Sequence, residues 1–417
     1  MELIRIEAYK IEGNLLYLYV RNLGSTKVIV TTVYLISPKG TVVVGPAEIK
    51  SSTEIWGGDV WRVDTESLEC VRESSGKVVY DAFTSPNPSI WDDSYVDYNN
   101  DWSNVYYDPN GLKLLSRSYG GWAVRGLITV DRVINLQELP IVIEVDVQKT
   151  SYNVPNGDAA GSPFAACLYL SSIRNKNPYF AKPWFAVKLY PKIFLVKTEA
   201  QLVARDEVGI VYWKTLYEWH TAPNTQPRGI FLLVFNETNK VYYYFWANKR
   251  VGDPTSSGSW TATGLQQVFD DGEVYIYLTI DNTVTTSSRK VHMRYLQVYK
   301  GTKIKVEGLM PGWTVQVTDI NWNVIEVDGY RLEFLSNGSS VEIELLPYIL
   351  KNGMPILGHI KVITCDTSEY SENGGWVVPP SETRMITVSL KDVEYGRYKV
   401  KVVTRNGVEA SCIIVKS

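Results

Sequence analysis

The sequence predicts an all-β protein built from several β-sandwich domains. Apolar and polar residues alternate with a period of two near the start, in Ile4-Arg5-Ile6-Glu7-Ala8, and near the end, in Tyr398-Lys399-Val400-Lys401-Val402. Turn sequences such as Gly13-Asn14 and Asn406-Gly407 separate such segments. No long amphipathic helical pattern is visible, and the best helical candidate, residues 198–204, lacks a second apolar turn.

Length and composition bound the architecture and the partners. The 417 residues are too many for one sandwich and suit about three domains, and a 45% apolar content can fill several cores. The net charge of −3 argues against a basic nucleic-acid-binding stripe. We therefore expect no nucleic-acid partner. No run of 18 apolar residues is present, so we also expect no membrane span in this chain.

The aromatic residues are mainly of the two types with a polar edge. The chain has 28 Tyr and 13 Trp against 10 Phe. Tyrosine and tryptophan suit half-exposed strand faces, sugar platforms and subunit contacts. Tyrosine is also common in β-strands of any function, which is the simpler interpretation.

The cysteines and histidines point away from a zinc site or a histidine-based catalytic site. The four cysteines contain no C-x-x-C pair, and the three histidines are far apart in the sequence. Cys365 and Cys412 are the candidate disulfide, because both fall near the C-terminus and could pair across one small domain. Buried free thiols are the alternative.

The two ends of the chain are each too short for a stable sandwich. Each offers about four strands, and small domains bury too little surface to be stable unaided. We therefore expect residues 1–50 plus 365–417 to complete one domain, with the rest of the chain inserted into it. The Ser/Thr-rich start of residues 51–77 suggests a linker.

Both ends carry short patterns of a known family. These are Leu16-Tyr17-Leu18-Tyr19-Val20-Arg21-Asn22-Leu23-Gly24-Ser25 and Tyr398-Lys399-Val400-Lys401-Val402-Val403-Thr404-Arg405-Asn406-Gly407-Val408. The patterns resemble the β-sandwich of archaeal type IV pilins and archaellins. The resemblance implies a structural role at a cell surface, with copies of the chain or other filament subunits as partners.

The middle of the chain suggests two further sandwich domains. A strand at residues 78–83 ends in Asp81-Ala82-Phe83, and Trp91 follows it. This resembles the opening of concanavalin A-like (laminin-G-like) jelly rolls, and we assign residues 78–300 to such a domain. Residues 301–364 resemble a small immunoglobulin-like domain, through a Gly-x-x-Pro-Gly turn before Trp313.

One strand resembles a catalytic motif. Glu144-Val145-Asp146-Val147-Gln148-Lys149 is similar to the Glu-x-Asp-x-x-Glu strand of laminarinase-type glycosidases. In that family the last glutamate is the acid/base, and retaining hydrolysis needs two carboxylates about 5–5.5 Å apart. Lys149 stands at that position, so we expect no enzyme activity. The alternative interpretation of the segment is a strand with one solvated polar face.

An acidic and aromatic segment at residues 91–107 holds the candidate binding residues. Its rings could form a sugar platform or an assembly contact, or could be part of the core. The candidate ligand-binding residues are Trp91, Tyr95, Tyr98, Trp102, Tyr106 and Tyr107. Oxygen-rich loops can also bind calcium, although this one lacks the EF-hand order. The candidate calcium ligands are Asp92, Asp93, Asp97 and Asp101.

These observations lead to one functional hypothesis and two alternatives. The first is a structural or adhesive protein of an extracellular archaeal filament or cell surface, with a lectin-like domain that binds glycans or surfaces. The second is a virion surface protein, such as the spike or turret of an archaeal virus. A carbohydrate-active enzyme is disfavoured. The glycosylation sequons at Asn236 and Asn337 fit an extracellular location.

Overall fold

A computed structural model describes most of the chain, and the described part forms two compact units. The described residues are 1–51, 53–100, 102–151, 164–192, 197–220, 226–237, 239–262, 265–266, 268, 272–352, 358–366, 370 and 374–417. The first unit contains Met1–Ser75, Lys303–Leu345 and Pro355–Ser417, and the second contains Gly76–Thr302 and Leu346–Met354. The chain therefore leaves the first unit twice and returns to it.

Almost every element is a strand, which confirms the predicted all-β, multi-domain β-sandwich class. The strands are β1 Ile4–Glu12, β2 Leu15–Asn22, β3 Val28–Ser37, β4 Gly40–Val44, β5 Glu48–Lys50, β6 Val60–Asp64, β7 Glu69–Ser74, β8 Lys77–Asp81, β9 Trp91–Asp92, β10 Asp97–Tyr98, β11 Trp102–Asp108, β12 Gly111–Thr129, β13 Ile134–Asn135, β14 Ile141–Ser151, β15 Phe164–Ser171, β16 Trp184–Lys192, β17 Lys197–Arg205, β18 Val211–His220, β19 Arg228–Glu237, β20 Lys240–Ala247, β21 Ser256–Thr261, β22 Glu273–Lys300, β23 Lys303–Glu307, β24 Thr314–Asp319, β25 Glu326–Val327, β26 Tyr330–Arg331, β27 Glu333–Leu335, β28 Ser340–Glu344, β29 Gly358–Ile363, β30 Trp376–Val378, β31 Thr383–Ser389, β32 Gly396–Thr404 and β33 Glu409–Lys416.

Helical structure is confined to short pieces. In the part of the chain that the structure describes, a 3-10 turn covers Pro178–Phe180, the helix α1 covers Leu346–Asn352, and residues 265–266 and 268 are also helical. Within the described ranges, no helix has the length and apolar character needed to cross a membrane.

The two ends of the chain share one sandwich core in the first unit. Strand β2 pairs antiparallel with β31, and β3 pairs antiparallel with β32. One sheet has the order β1-β2-β31, and the other has the order β30-β3-β32-β33 with β4 on β3. Their inward faces contribute Leu18, Val33, Val388 and Val400 to the same buried cluster. Burial on this shared face is what brings strands from opposite ends of the chain together.

Residues 51–77 are not a linker, because they supply strands β6 and β7 to a third sheet of the first unit. That sheet has the order β27-β24-β29-β5-β7-β6-β23-β28, so β5, β6 and β7 extend the small β-domain predicted for residues 301–364. Trp61 and Val63 are buried on β6, while Arg62 between them is exposed. This period-2 pattern follows the Ser/Thr-rich stretch that suggested a linker.

The second unit is a jelly-roll sandwich of two sheets. The long strands β12 and β22 run through both sheets, since β22 pairs with β15 over residues 275–282 and with β14 over residues 289–300. The sheet containing β15, β16, β17 and β18 is called the front sheet, and the sheet containing β14, β19, β20 and β21 is called the back sheet. Phe185 of the front sheet touches Phe235 of the back sheet, with ring centroids 5.3 Å apart, inside the shared core.

Residues 198–204, which were the best helical candidate in a sequence expected to have almost no helix, form the middle of strand β17. Thr198, Ala200 and Leu202 are buried on one face of the strand, and Glu199 and Gln201 are buried on the other. A strand that is buried on both faces loses the polar alternation that marks a strand in sequence.

Candidate functional site: an aromatic cleft on the front sheet

The residues of the catalytic lookalike lie on two opposite faces of strand β14. Glu144 and Asp146 lie on the outward face of the back sheet and are fully buried, so the expected solvated face was also wrong. Arg250 forms an ion pair with Glu144, and the Arg228 guanidinium donates to both carboxylate oxygens of Asp146. Each carboxylate is thus neutralised by its own arginine.

Lys149 lies on the opposite face of the same strand. It points into the sandwich, where its Nζ donates to Thr198 Oγ1 at 3.1 Å and lies 4.6 Å from the centre of the Phe164 ring. The three motif positions therefore do not share a face, because positions 144 and 149 are an odd number of residues apart.

The Asp-x-Phe and Trp positions of the jelly-roll resemblance come together in the core. Asp81 accepts hydrogen bonds from the Phe83 backbone at 2.6 Å and from Trp91 Nε1 at 2.8 Å. The Phe83 and Trp91 rings are 5.7 Å apart. Burial raises the pKa of Asp81 in spite of these two donors. Trp91 is thus a core residue and not a surface platform.

The other five candidate binding rings are spread over different surroundings. Tyr95 and Tyr98 pack against a cluster on the outer face of the front sheet, Tyr95 under the Arg174 guanidinium at 4.4 Å and Tyr98 beside Phe180. Trp102 is half-buried, and Tyr107 packs against the sandwich core and donates to Asp93 at 3.3 Å. Tyr106 alone among these rings is exposed, at 45%. They do not form one platform.

The candidate calcium ligands hold the loop together through separate contacts. Asp92 accepts from the Ser94 and Tyr95 backbone amides and pairs with Arg174 at 2.6 Å. Asp97 accepts from Asn100 and Ser103, and Asp93 accepts from Tyr107. Asp101 lies outside the described residues. In the described part of the chain, no three potential metal-ligating side chains converge.

The cysteine and sequon predictions have different outcomes. All four cysteines are described, and all are free thiols, so the expected Cys365–Cys412 disulfide is absent. Cys365 is buried in the core of the chain-end sandwich, and Cys412 packs against that core from β33. Asn236 and Asn337 are both exposed, as a glycan acceptor must be, and their glycosylation stays a prediction.

The outer face of the front sheet carries a different set of chemically useful side chains. Strand registers align Lys188 with Cys167 on β15 and with Gln201 on β17. Thr215 of β18 and Thr279 of β22 extend the same row on either side. The neighbouring rows bring Asp281, Tyr190, Trp184 and Trp213 to the same face. This face is called the cleft face below.

A folded segment between β15 and β16 forms one wall of the cleft face. Asn177 caps the 3-10 turn by accepting from the Tyr179 backbone amide at 3.1 Å. Trp184 Nε1 donates to the Tyr179 carbonyl at 3.2 Å, and the Tyr277 hydroxyl donates to the Ile173 carbonyl at 2.5 Å. These bonds fix the Tyr179 ring against Trp122, with centroids 4.5 Å apart in an edge-to-face arrangement.

Two adjoining cavities open on this face. The first has a volume of about 260 Å³ and is lined by Tyr179, Trp184, Lys188, Tyr190, Gln201, Val203, Val211 and Trp213. The second has a volume of about 200 Å³ and is lined by Trp122, Phe164, Ala165, Tyr179, Lys188, Tyr190, Pro191 and Asp281. Tyr179, Lys188 and Tyr190 line both, so the two cavities are parts of one cleft. Trp213 is 66% exposed and Tyr190 is 47% exposed, which leaves aromatic surface open to solvent.

A buried polar network lies at the floor of the cleft. Asp281 accepts hydrogen bonds from the Tyr169 hydroxyl at 2.5 Å, the Thr279 hydroxyl at 2.7 Å and the Cys167 thiol at 3.5 Å. Lys188 Nζ donates to the Tyr169 oxygen at 2.7 Å and lies 4.0 Å from Asp281 Oδ2. Tyr169 thus connects the ammonium group to the carboxylate.

Burial sets the protonation states of this network. It raises the pKa of both Tyr169 and Cys167 well above their usual ranges, and the charge of Asp281 raises them further. Both groups therefore keep their protons at neutral pH and act as donors to Asp281. Beside them, Gln201 Nε2 donates to Glu199 Oε2 at 2.5 Å, which fixes the amide at the cleft wall.

The sequence alone did not point to this cleft. The alternation of Trp184, Ala186, Lys188 and Tyr190 with Phe185, Val187 and Leu189 is the one signal that could have indicated it. That segment has large side chains on both faces, so it predicts a strand without indicating which face binds.

Comparisons with known proteins give neighbours at the level of fold only. No protein-family model matches the chain, and no curated protein matches it. A structure from work on endo-acting O-glycanases of the human gut microbiota aligns with a TM-score of 0.35 and 12% identity, over 54% of this chain and 99% of that chain. The seed lectin of Lotus tetragonolobus aligns with a TM-score of 0.35 and 8% identity, over 53% and 96%.

A third neighbour is the endo-1,3-β-glucanase of Streptomyces sioyaensis. It aligns with a TM-score of 0.32 and 14% identity, over 54% of this chain and 96% of that chain. Similarities at this level carry no argument about what the chain does, so its function is argued below from the geometry of the cleft.

Proposed function

We propose that this protein binds glycans in the cleft of the front sheet. The observation that carries the proposal is the combination of exposed aromatic rings, Tyr190 and Trp213, with a nearly buried lysine in one cleft. Flat aromatic faces stack on the C–H faces of sugar rings, and a few fixed polar groups set orientation by binding the hydroxyls. Lys188 and Gln201 supply such groups in the first cavity, and Asp281 supplies one in the second.

Binding, not hydrolysis, is the activity we propose. Retaining hydrolysis of a glycoside needs two carboxylates about 5–5.5 Å apart. Glu144 and Asp146 are held in ion pairs on the other sheet. Among the described lining residues of the two cavities, Asp281 is the carboxylate, and its oxygens already accept three hydrogen bonds.

The test is glycan binding by the full chain and by variants of the two exposed rings. A glycan array identifies a ligand, and titration calorimetry then measures its affinity. We expect Trp213→Ala and Tyr190→Ala each to weaken binding roughly tenfold, since a stacked ring is an energetic anchor. The matched control is Tyr106→Ala, which removes a similarly exposed ring from β11. Equal losses in the control, or no glycan ligand at all, would contradict the proposal.

We propose that this binding serves a surface structure, as the resemblance of the chain ends to archaeal pilins suggests. The two exposed sequon asparagines, Asn236 and Asn337, support an extracellular setting. Electron micrographs of the native material should show filaments, or ordered arrays on cells or virions. Native material that is monomeric by mass spectrometry and free in solution would count against this setting and would leave the glycan proposal intact.

A further inference from the structure

Lys188 has hydrogen-bonding capacity that the described protein does not use. Its side chain is 6% exposed, and an ammonium group offers three N–H donors. In the described part of the chain it makes one hydrogen bond, to the Tyr169 oxygen at 2.7 Å. It also contacts the faces of aromatic rings, at 4.4 Å from the centre of Tyr169, 4.8 Å from that of Trp184 and 6.0 Å from that of Tyr179. A buried ammonium with unused donors favours an acceptor supplied by a ligand.

Asp281 forms an ion pair with this ammonium group but accepts no hydrogen bond from it. Asp281 Oδ2 lies 4.0 Å from Lys188 Nζ, which is beyond hydrogen-bonding distance. Asp281 receives its hydrogen bonds from Tyr169, Cys167 and Thr279. Three other donors bind the carboxylate, so the N–H groups of Lys188 that it does not engage are open to an acceptor on a ligand.

The position of Lys188 gives that charge direct access to the ligand site. Lys188 lines both cavities, and it is the charged residue in the wall of the first one. The guanidinium of Arg205 lies 4.1 Å from the centre of the Tyr179 ring, which adds positive potential on the same side of the cleft. Within a partly desolvated cleft, the attraction between an ammonium group and an anion is stronger than in water.

We propose that the cleft selects acidic glycans, with an anionic substituent of a sugar ring bound by Lys188. The inference rests on the proposed glycan-binding function and names its ligand class. The substituent is the carboxylate of a uronic acid or a sulfate ester, both of which offer the oxygen acceptors that the ammonium lacks. The rings of Tyr190 and Trp213 then hold the sugar itself.

The experiment compares matched oligosaccharides on the full chain by titration calorimetry. The probes are an oligogalacturonide, its carboxyl-reduced neutral counterpart and a sulfated galacto-oligosaccharide. We expect an acidic probe to bind at least roughly tenfold more tightly than the neutral one, with the preference falling as salt is raised to about 0.5 M. The better of the two acidic probes identifies the anionic group.

Three variants test whether Lys188 causes the preference for acidic over neutral probes. Lys188→Gln should remove it, and Lys188→Arg, which keeps the charge, should retain part of it. Lys176→Gln makes the same change of charge on an exposed lysine of the nearby segment and should keep the preference. If Lys188→Gln does not fold, two measurements still test whether a positive charge causes the preference for acidic probes. These are the salt dependence of binding by the unaltered chain and the binding of the same probes by Lys188→Arg.

The two proposals fail in different ways. Equal binding of acidic and neutral probes overturns the acidic selectivity and leaves glycan binding standing. An acidic preference that persists in Lys188→Gln overturns the role of Lys188. Equal binding of polyglutamate overturns the assignment to a sugar, and binding of none of the oligosaccharides overturns glycan binding itself.

Discussion

Lys416, in the last strand of the chain, shows how one side chain can secure a terminus. Its Nζ donates to the Leu390 carbonyl at 2.7 Å, the Val393 carbonyl at 2.8 Å and Asn14 Oδ1 at 3.1 Å. The lysine is buried, and all three of its donors are used. These hydrogen bonds connect strand β33 to the turn at Asn14 near the start of the chain and to the turn at Leu390–Val393 near its end.

Lys416→Met should destabilise the chain-end sandwich. The methionine keeps most of the apolar stem but removes three hydrogen bonds, at a cost of about 1–3 kcal/mol in the free energy of unfolding. Urea unfolding measures the change. The control is Lys399→Met on the adjacent strand, where the side chain is exposed and the free energy should change little. Equal stability of the two variants would show that the three hydrogen bonds contribute nothing.

Several residues that looked functional in the sequence are structural. Glu144 and Asp146 are buried in ion pairs with arginines, and Trp91 fills the core beside Phe83. In contrast, the sequence analysis did not single out Lys188, which lies at the centre of the cleft. A sequence shows which residue types are present, but the burial and partners that decide their roles come from other strands.

At the scale of elements, strand β22 pairs with strands of both sheets and carries a titratable residue, His292. His292 Nε2–H donates to the Asn110 carbonyl oxygen at 2.7 Å, and the side chain is largely buried. Burial lowers the pKa of His292, and the nearby cations Arg294 and Lys113 lower it further, while Asp146 acts in the opposite direction. The folded protein therefore favours the neutral imidazole.

This shift predicts a loss of stability in mild acid. The pKa of a histidine in an unfolded chain is about 6.5, which is above the lowered pKa of His292 in the folded protein. His292 therefore binds a proton more readily in the unfolded chain than in the folded one. The contribution of His292 is fully present above that pKa and is lost as the pH falls through the lower, folded value. His292→Gln should flatten the dependence of the melting temperature on pH between about 7.5 and 5.

The control for this prediction is His220→Gln, since His220 is exposed at the end of β18. Its pH profile should follow that of the unaltered protein. A profile for His292→Gln that is as steep as that of the unaltered protein would show that another group governs the acid response.

Strand β17 explains why the position of the cleft was missed. Its inward face supplies Ala200 and Leu202 to the sandwich core, and its outward face supplies Gln201 and Val203 to the cleft. Because both faces are buried, neither period 2 nor period 3.6 stands out in the sequence. The strand becomes recognisable only once its neighbours, β16 and β18, are in place.

At the scale of the whole molecule, the chain builds two units with separate cores. The first unit is assembled from three stretches of sequence, and the second from one long stretch and one short one. The cleft lies wholly within the second unit, on strands β12, β15 to β18 and β22 with the segment at residues 172–183. The residues that form the cleft can therefore be tested without altering the first unit.

The sequence by itself determined the β-content, many of the turns and the joining of the two chain ends in one core. The β-content and the turns depend on local alternation and turn chemistry, such as the Asn406-Gly407 turn after β32, and the joining of the ends was expected because each end is too short for a stable sandwich. Tertiary structure decided that residues 60–74 join a sheet and that Cys365 and Cys412 stay unpaired.

Tertiary structure alone also decided where a ligand could bind. Lys188, Tyr169 and Asp281 are up to 112 residues apart in the chain, and antiparallel pairing brings them together on neighbouring strands. Alternation shows that a strand has two faces, but strand order and sheet stacking determine which face meets the core and which meets solvent. Strand order and sheet stacking, which depend on contacts between residues far apart in the sequence, formed the cleft on the outer face of the front sheet. They also buried Glu144 and Asp146 on the back sheet.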